Sequence, residues 1–429
     1  MITQKSYQDL CAYLSKEDID LALSWLRELA HCRLSAACWL LAQTLHQGHL
    51  TAADPEQAMH HARLAAQAGE PAAVRWLAHQ ALNCQDKEAL LLQITPLLPE
   101  LLQYRTPTRE DAEMLFIYAH HFLEMPNSFD HPAKKLAVQA LHRAARAGLP
   151  QAQFHYGLWL GQLTPEGQRR MYGLSGRNGS LKKSAQWLAL AAKAGVAEAW
   201  YVLALLYRRT QFSQYDVKES DHYLLQAAQL EHAAAQLMLG RNLWRSRKRY
   251  PDADVQACYW FWRSARQGNN EARTWLYKIA QSYPNPDQNS WGKLAQAAIQ
   301  RSTEMDGLTL LVQRVQVAHQ FNLNKAEMLL LDLVEAKRDH CLVVDIHHIS
   351  PRSSRRLILI ETPAQYATLI QATKIFSENE LAVANEGNYR QRRYRFEKLL
   401  FVLGEEESNQ DDMYNPNSNN SHNGIANNS

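Results

Sequence analysis

Hydrophobic residues follow two different patterns along this chain. Up to about residue 282, helix-forming runs rich in alanine and leucine, such as SLKKSAQWLALAAKAG and VAEAWYVLALLY, follow one another after short breaks. Beyond that point, CLVVDIHH and RRLILIE alternate and are rich in β-branched side chains. The first pattern predicts paired helices, and the second predicts two strands joined by the turn SPRSS.

The helical part of the chain repeats itself. The pattern Ala-x-x-Gly-x-x-x-Ala occurs six times, at a spacing of 36 or 37 residues except across two longer gaps. Both alanines are kept in every copy, and the glycine is kept in four. The copies are Ala30-Arg33-Ala37, Ala66-Gly69-Ala73, Ala145-Gly148-Ala152, Ala192-Gly195-Ala199, Ala228-Glu231-Ala235 and Ala265-Gly268-Ala272.

Each conserved position of the repeat has a physical reason. Glycine takes the left-handed conformation that ends a helix, which a β-carbon would penalise. Five residues after the second alanine, five copies carry another small residue: Ala42, Ala78, Gly157, Ala204 and Gly240. Positions five residues apart lie about 140° apart around a helix. One can therefore face the preceding helix and the other the following helix, as stacked helix pairs require.

The segments AAKAGVAEAWYVLALLY and RAARAGLPQAQFHYGLWL resemble the Sel-one-like repeat, a relative of the tetratricopeptide repeat. The resemblance covers residues 22–282. It implies an α/α solenoid that acts as an adaptor and holds another protein on its concave face. Two places depart from the pattern. Residues 162–180 lengthen one loop, and 85–124 form a divergent copy in which Ala112 stands for the second alanine and Pro96 and Pro99 break the first helix.

The period stops after residue 282, and the segment YPNPDQNS over 283–290 predicts a linker. Helices are then predicted over WGKLAQAAIQRSTEM, LTLLVQRVQVAHQF and NKAEMLLLDLVEAKRD. The two strands come next. A helix then follows over TPAQYATLIQATKIF, with Thr362 as its N-cap and proline at its first position. The last predicted helix covers NYRQRRYRFEKLLFVLG.

This order of helices and hairpin, in the stretch FNLNKAEMLLLDLVEAKRDHCLVVDIHHISPRSSRRLILIETPAQ, resembles the first half of a tyrosine recombinase (phage integrase) catalytic domain. In that family, the arginine of a Gly-Leu-Arg-x-x-Glu motif holds the scissile phosphate. Here Glu327 matches the glutamate, but Asn324 replaces the arginine. The hairpin has no lysine, and no His-x-x-Arg box or nucleophilic tyrosine follows. The resemblance therefore implies a degenerate domain without transesterification chemistry.

The sequence thus predicts a mainly α fold, an α/α solenoid of Sel-one-like helix pairs followed by a small α+β domain. The expected boundaries are an N-terminal capping helix over 1–21, the solenoid over 22–282, the linker over 283–290, the integrase-like domain over 291–404 and a disordered Asn/Ser-rich tail over 405–429.

Composition and charge exclude some classes of function but do not identify one. The formal net charge of +3 is small for 429 residues, so bulk charge indicates neither nucleic acid nor membrane. The start of the chain lacks the pattern of a secretion signal, and no long uncharged apolar run predicts a membrane span. The six cysteines have no CxxC spacing and predict reduced thiols of a cytoplasmic protein. No Cys/His set and no HExxH motif supports a metal site, so neither metal nor cofactor is expected.

Two basic clusters are the strongest candidates for ligand contact. One lies at the hairpin turn and the other on the last helix, and their arginines are suited to DNA phosphate: Arg352, Arg355, Arg356, Arg390, Arg392, Arg393 and Arg395. The alternative is a solvated face, partly offset by Glu397 and the acidic tail.

The sequence favours a protein-binding scaffold whose concave face takes a protein or peptide partner. The alternative is a DNA-associated accessory protein of a mobile element that uses the catalytically dead integrase-like domain. No acid/base or nucleophile constellation predicts an enzyme, and no membrane partner is expected.

Overall fold

A computed structural model of the chain describes residues 16–48, 51–103, 107–124, 132–169, 180–286, 289–301, 308–347, 349 and 354–403. The chain divides into two compact units, 1–230 and 231–429. Both are mainly helical, which confirms the predicted fold class. The predicted tail over 405–429 lies outside the described residues.

The first unit is built of helices that pack against their neighbours in sequence. Over its described residues these are α1 (Lys16–His31), α2 (Ser35–Gln47), α3 (Pro55–Gln67), α4 (Pro71–Asn83), α5 (Lys87–Gln103), α6 (Arg109–Glu124), α7 (Pro132–Arg146), α8 (Pro150–Gly161), α9 (Leu181–Lys193), α10 (Ala197–Tyr207) and α11 (Val217–Gln229).

The second unit begins with three further helices of the same kind and continues into a helical region with a β-hairpin. Its described elements are α12 (Ala233–Ser246), α13 (Ala253–Arg266), α14 (Asn270–Ile279), α15 (Gly292–Gln300), α16 (Thr309–Phe321), α17 (Lys325–Leu330), α18 (Leu333–Ala336), β1 (Cys341–Val344), β2 (Arg356–Leu359), α19 (Pro363–Glu378), α20 (Glu380–Ala384) and α21 (Tyr389–Leu403).

All six predicted helix ends have the left-handed conformation. Gly69, Gly148, Gly195 and Gly268 have φ between 86° and 96°, and Arg33 and Glu231 hold the same position at 57° and 64°. At Gly195 the backbone N–H bonds to the carbonyl of Ala192 at 3.0 Å, and the next N–H bonds to that of Ala191 at 3.1 Å. This pair of bonds satisfies carbonyls that a helix end leaves open. The predicted role of the glycine is confirmed, and the position tolerates other residues.

The two small positions of the second helix face opposite neighbours, as predicted. On α8, Ala152 lies in a core cluster with Ala145 of α7. A β-carbon at Gly157 would lie 2.9 Å from Cγ of Leu188 on α9, so a larger residue there would force Leu188 to shift. The approach is strengthened by a buried hydrogen bond, because the Ser184 hydroxyl of α9 donates to the Gly157 carbonyl at 2.7 Å. The same bond recurs from Ser220 to the carbonyl of Ala204 at 2.7 Å.

Several predicted boundaries need correction. Pro96 and Pro99 do not break a helix, since α5 continues through both. They lie on its exposed face, where the carbonyls that lose their partners reach water, while Ile94 and Leu98 stay buried on the other face.

The capping helix over 1–21 does not end at residue 21, because α1 runs from Lys16 to His31; residues 1–15 lie outside the described part. Ala112 is buried on α6, as a second alanine would be.

The long connection predicted over 162–180 follows the end of α8 at Gly161 and precedes α9 at Leu181. Residues 170–179 of it lie outside the described part of the chain.

The predicted hairpin is confirmed, with Cys341 opposite Leu359 and Val344 opposite Arg356 in antiparallel register. Both of its faces are buried. Leu342, Val344 and Ile358 join the core of α15–α21, whereas Cys341, Val343, Leu357 and Leu359 join a core with α12–α14. Gln281, just before the predicted linker, pairs with the backbone of β2, so the last repeat helices and the hairpin share one core.

The helix predicted over NKAEMLLLDLVEAKRD is divided in two. Leu331 is extended, and the Asp332 carboxylate accepts from the N–H groups of Val334 and Glu335 at 2.9 and 3.2 Å and so begins α18. At α19, the predicted N-cap is confirmed: the Thr362 hydroxyl accepts from the N–H of Gln365 at 3.1 Å, and Pro363 is the first helical residue.

Candidate protein-binding groove and the arginine clusters

A mostly apolar groove lies between α5 and α6 in the first unit. Its volume is about 620 Å³, and the side chains that line it are Lys87, Leu91, Phe116, Ile117, His120, His121 and Glu124. We call it the α5–α6 groove. Binding sites typically combine an apolar lining with a few polar groups, in this range of volumes. The groove has that composition, since Leu91, Phe116 and Ile117 supply apolar surface beside a few polar side chains.

The position of the groove follows from the repeat. Leu91, Phe116 and Ile117 are partly buried against the core of α4–α8, so the helix faces that carry them are held in place by packing. The Phe116 ring contacts His120 at 5.7 Å between centroids and His155 of α8 at 5.4 Å. The His120 Nε2 atom lies 3.2 Å from a Glu124 oxygen. These contacts orient the aromatic lining before any partner arrives.

The hairpin arginines are paired with acidic side chains of the protein. Arg356 binds the Glu327 carboxylate through two hydrogen bonds, Nε to Oε1 at 2.9 Å and Nη2 to Oε2 at 2.5 Å. Arg355 bonds to Asp252 at 2.6 Å and lies 3.0 Å from Asp254. Arg352 lies outside the described residues. The two described arginines of this cluster are thus engaged within the second unit.

The arginines of the last helix are also engaged, with one exception. Arg392 donates to the carbonyls of Gly387 and Leu329 at 3.0 and 2.8 Å. Arg395 donates to the carbonyls of Glu386 and Asn385 at 2.8 and 3.1 Å. Arg393 pairs with Glu397 at 2.9 Å. Arg390 is exposed, and no contact is defined for it.

Arginines from both clusters reach one cavity of about 640 Å³ in the second unit. Four arginines and four acidic residues line it, namely Arg314, Arg338, Arg355 and Arg392 with Asp252, Asp332, Glu335 and Asp345. A phosphate that entered this cavity would meet as many carboxylates as guanidinium groups. The buried Arg314 is itself held by Glu386, at 2.7 Å. Sequence reasoning missed Glu386, since nothing in its neighbourhood marks it as a partner.

Asn324, which replaces the arginine of the recombinase motif, and Glu327, which matches its glutamate, have a structural role. The Asn324 side chain accepts from the Glu327 N–H at 2.9 Å, and the Glu327 carboxylate accepts from the Asn324 N–H at 2.9 Å. This reciprocal pair caps α17. Glu327 thereby binds both its own helix end and Arg356.

The sequence shows no Cys/His motif for a metal site, but three such side chains converge in the structure. Cys258, His340 and Cys341 come together and are buried. They lie far apart in sequence, so no spacing rule could reveal them. The hydrogen bond from Cys258 lowers the pKa of Cys341 to about 6, and the same bond, together with burial, raises the pKa of Cys258.

No family model and no curated protein matches this chain. Among solved structures, a Sel1 repeat protein from Oxalobacter formigenes is 22% identical with a TM-score of 0.40, over 61% of this chain and 70% of its own. The protein c5321, a protective antigen present in uropathogenic Escherichia coli strains and displaying an SLR fold, is 16% identical with a TM-score of 0.37, over 85% of this chain and 81% of its own. Because both scores are low, the fold is assigned from the helix order and packing described above.

Within the part of the chain that the structure describes, no helix combines the length and the apolar character that crossing a membrane would require.

Proposed function

We propose that this protein is a scaffold or adaptor that binds a segment of another protein, and that the α5–α6 groove receives it. The observation that carries the proposal is the apolar lining of this groove, presented by helices that the repeat packing fixes in place. A pre-formed surface loses little conformational entropy on binding, which favours affinity. The location of the site on a concave face, expected from the sequence, stays a prediction.

The chemistry of the groove indicates what the bound segment carries. Leu91, Phe116 and Ile117 favour one or two large apolar side chains, since aromatic and aliphatic anchors in pockets dominate most interfaces. Lys87 and Glu124 add opposite charges to the lining, and these would fix orientation more than affinity. We therefore expect a short segment with apolar anchors flanked by polar residues.

The internal pairing of the arginines supports this ranking over the DNA-associated alternative. Of the six described arginines proposed for phosphate contact, five already bond to carboxylates or backbone carbonyls. Contact with DNA would have to compete with these bonds.

The test is a selection of peptides from a random library on the full chain, followed by titration of the selected peptide. Leu91→Gln in the groove should lower the affinity at least tenfold. Leu92→Gln is the matched control, because its side chain is next in sequence but 72% exposed and does not line the groove. Equal affinities for both variants, at unchanged melting temperature, would exclude this groove. If no peptide were enriched in the selection, the scaffold proposal would itself be contradicted.

A further inference from the structure

Three metal-ligating side chains meet in the second unit. Cys258 lies on α13, and His340 and Cys341 lie at the start of β1. Their ligand atoms are all within 4.8 Å of one another, and the residues are 0%, 4% and 0% exposed. Elsewhere in the described ranges, no other group of three His, Cys, Asp or Glu side chains converges in this way. The fold therefore builds a soft ligand set from two distant parts of the chain.

The histidine of this cluster is oriented by its surroundings. Its Nε2 atom lies 3.2 Å from the Val255 carbonyl oxygen. Since a carbonyl only accepts, Nε2 carries the hydrogen, and Nδ1 of the neutral ring keeps its lone pair. The ring also packs on Tyr259 and Trp262, with centroids 5.4 and 6.1 Å away. A backbone carbonyl that holds the second ring nitrogen is the usual support of a metal-bound histidine.

We propose that Cys258, His340 and Cys341 bind one Zn²⁺ ion. In binding, the ion takes the place of the two thiol protons, which pass to solvent, and each sulfur keeps its electron pair as a thiolate ligand. Two thiolates, a neutral imidazole and a divalent cation carry no net charge. That balance matters because an uncompensated charge in a buried site is costly. A monovalent cation on the same ligands would leave one negative charge.

The geometry requires only a small adjustment. Zinc binds thiolate sulfur at about 2.3 Å, so two sulfurs around a tetrahedral ion are about 3.8 Å apart. The present separations do not exceed 4.8 Å, and side-chain movements of about 1 Å close the difference. Three protein ligands leave a fourth position, which water fills in zinc sites of this composition.

Such an ion would join two parts of the second unit. Cys258 belongs to the last pair of repeat helices, and Cys341 begins the hairpin, and both already lie in one core cluster. Because the unfolded chain does not hold these three side chains together, binding would stabilise the folded unit. The ion would thus add to the stability of the second unit, and the proposal is independent of the α5–α6 groove.

The experiment is native mass spectrometry and metal analysis of the full chain, stripped with a chelator and then supplied with Zn²⁺. We expect one zinc per chain, with a mass gain of one zinc atom less two protons, and a higher melting temperature than that of the stripped chain. Cobalt in place of zinc should give the absorption bands of thiolate-to-metal charge transfer. No zinc adduct on the wild-type chain would overturn the proposal, as would a Cys258–Cys341 disulfide in a non-reduced peptide map.

Variants locate the ion. Cys258→Ser and Cys341→Ser should each abolish retention of zinc after desalting. Cys32→Ser and Cys84→Ser are matched controls, since both of these cysteines are exposed, and both variants should retain one equivalent. Loss of zinc in the controls alone would place the ion elsewhere and contradict the assignment. The wild-type measurements decide the question even if a core variant fails to fold.

Discussion

Arg356 on β2 and Glu327 on α17 form a two-point ion pair, with side chains that are 16% and 4% exposed. The sequence had suggested this arginine for DNA phosphate. In the structure its guanidinium group instead fixes the hairpin to the capped start of α17. Removing one partner of a buried ion pair leaves the other charge unpaired, which is strongly destabilising. The folded second unit therefore depends on this pair.

Glu327→Gln should lower the free energy of unfolding by about 3 kcal/mol, because it leaves the Arg356 charge without its partner in a buried place. Chemical denaturation measures the change. Arg393→Gln is the control, since its pair with Glu397 is exposed and i,i+4, and it should cost no more than about 0.5 kcal/mol. Similar losses of unfolding free energy in both variants would show that the Arg356–Glu327 pair stabilises the protein no more than an exposed pair does.

Gly195→Val should destabilise the first unit by about 1 kcal/mol or more. No heavy atom lies within 4 Å of a β-carbon built there, so the cost comes only from the backbone, whose φ of 96° disfavours a β-branched residue. Thermal unfolding measures it. Arg33→Gly makes the reverse change at an equivalent helix end and should not destabilise. An unchanged melting curve for Gly195→Val would contradict the proposed role of this helix end.

Gly157→Ala should separate α8 from α9 and cost about 1–3 kcal/mol, because its β-carbon would lie 2.9 Å from Leu188 Cγ. A double-mutant cycle with Leu188→Ala tests the cause. If this clash is the cause, the double variant loses less free energy of unfolding than the sum of the losses in the two single variants. Strict additivity would mean that the close approach of the two helices is not what selects glycine.

The first unit should lose stability as the pH falls below about 6.5. Burial, with a smaller contribution from Arg146, lowers the pKa of His142, whose ring packs on Tyr156 at 5.0 Å. Above the unfolded pKa both states are neutral; as the pH falls through it, the unfolded state binds the proton first, and stability decreases until the folded pKa is passed. His142→Phe should flatten this decrease. A variant with the wild-type pH profile would assign the effect to another group.

The full chain should bind double-stranded DNA weakly, with little dependence on salt. If all seven arginines contacted phosphate, a log–log plot of affinity against salt would have a slope of about −6. Fluorescence anisotropy at about 50 and 200 mM salt measures the slope. Tight, salt-sensitive binding that is lost in an Arg390→Gln, Arg393→Gln double variant would place the DNA-associated function first, since both side chains are exposed and can reach DNA.

The sequence by itself determined the repeat, its helix ends and the order of the C-terminal elements. These features depend on local chemistry: a left-handed residue ends a helix, as at Gly195, and Thr362 with Pro363 begins one, whatever the rest of the chain does. Local rules failed where the surroundings decide. Pro96 and Pro99 are tolerated within α5 only because they fall on its exposed face.

Only the tertiary structure decided which side chains meet. Arg356 pairs with Glu327, Arg314 pairs with Glu386, and Cys258 lies beside Cys341. The members of each pair are far apart along the chain, and no periodicity in the sequence marks them as partners. Charge and thiol chemistry depend on burial and on the nearest partner, and both are set by how the helices pack against the hairpin. The same basic residues that a sequence presents as a surface for phosphate can therefore serve, once folded, to hold the protein's own carboxylates.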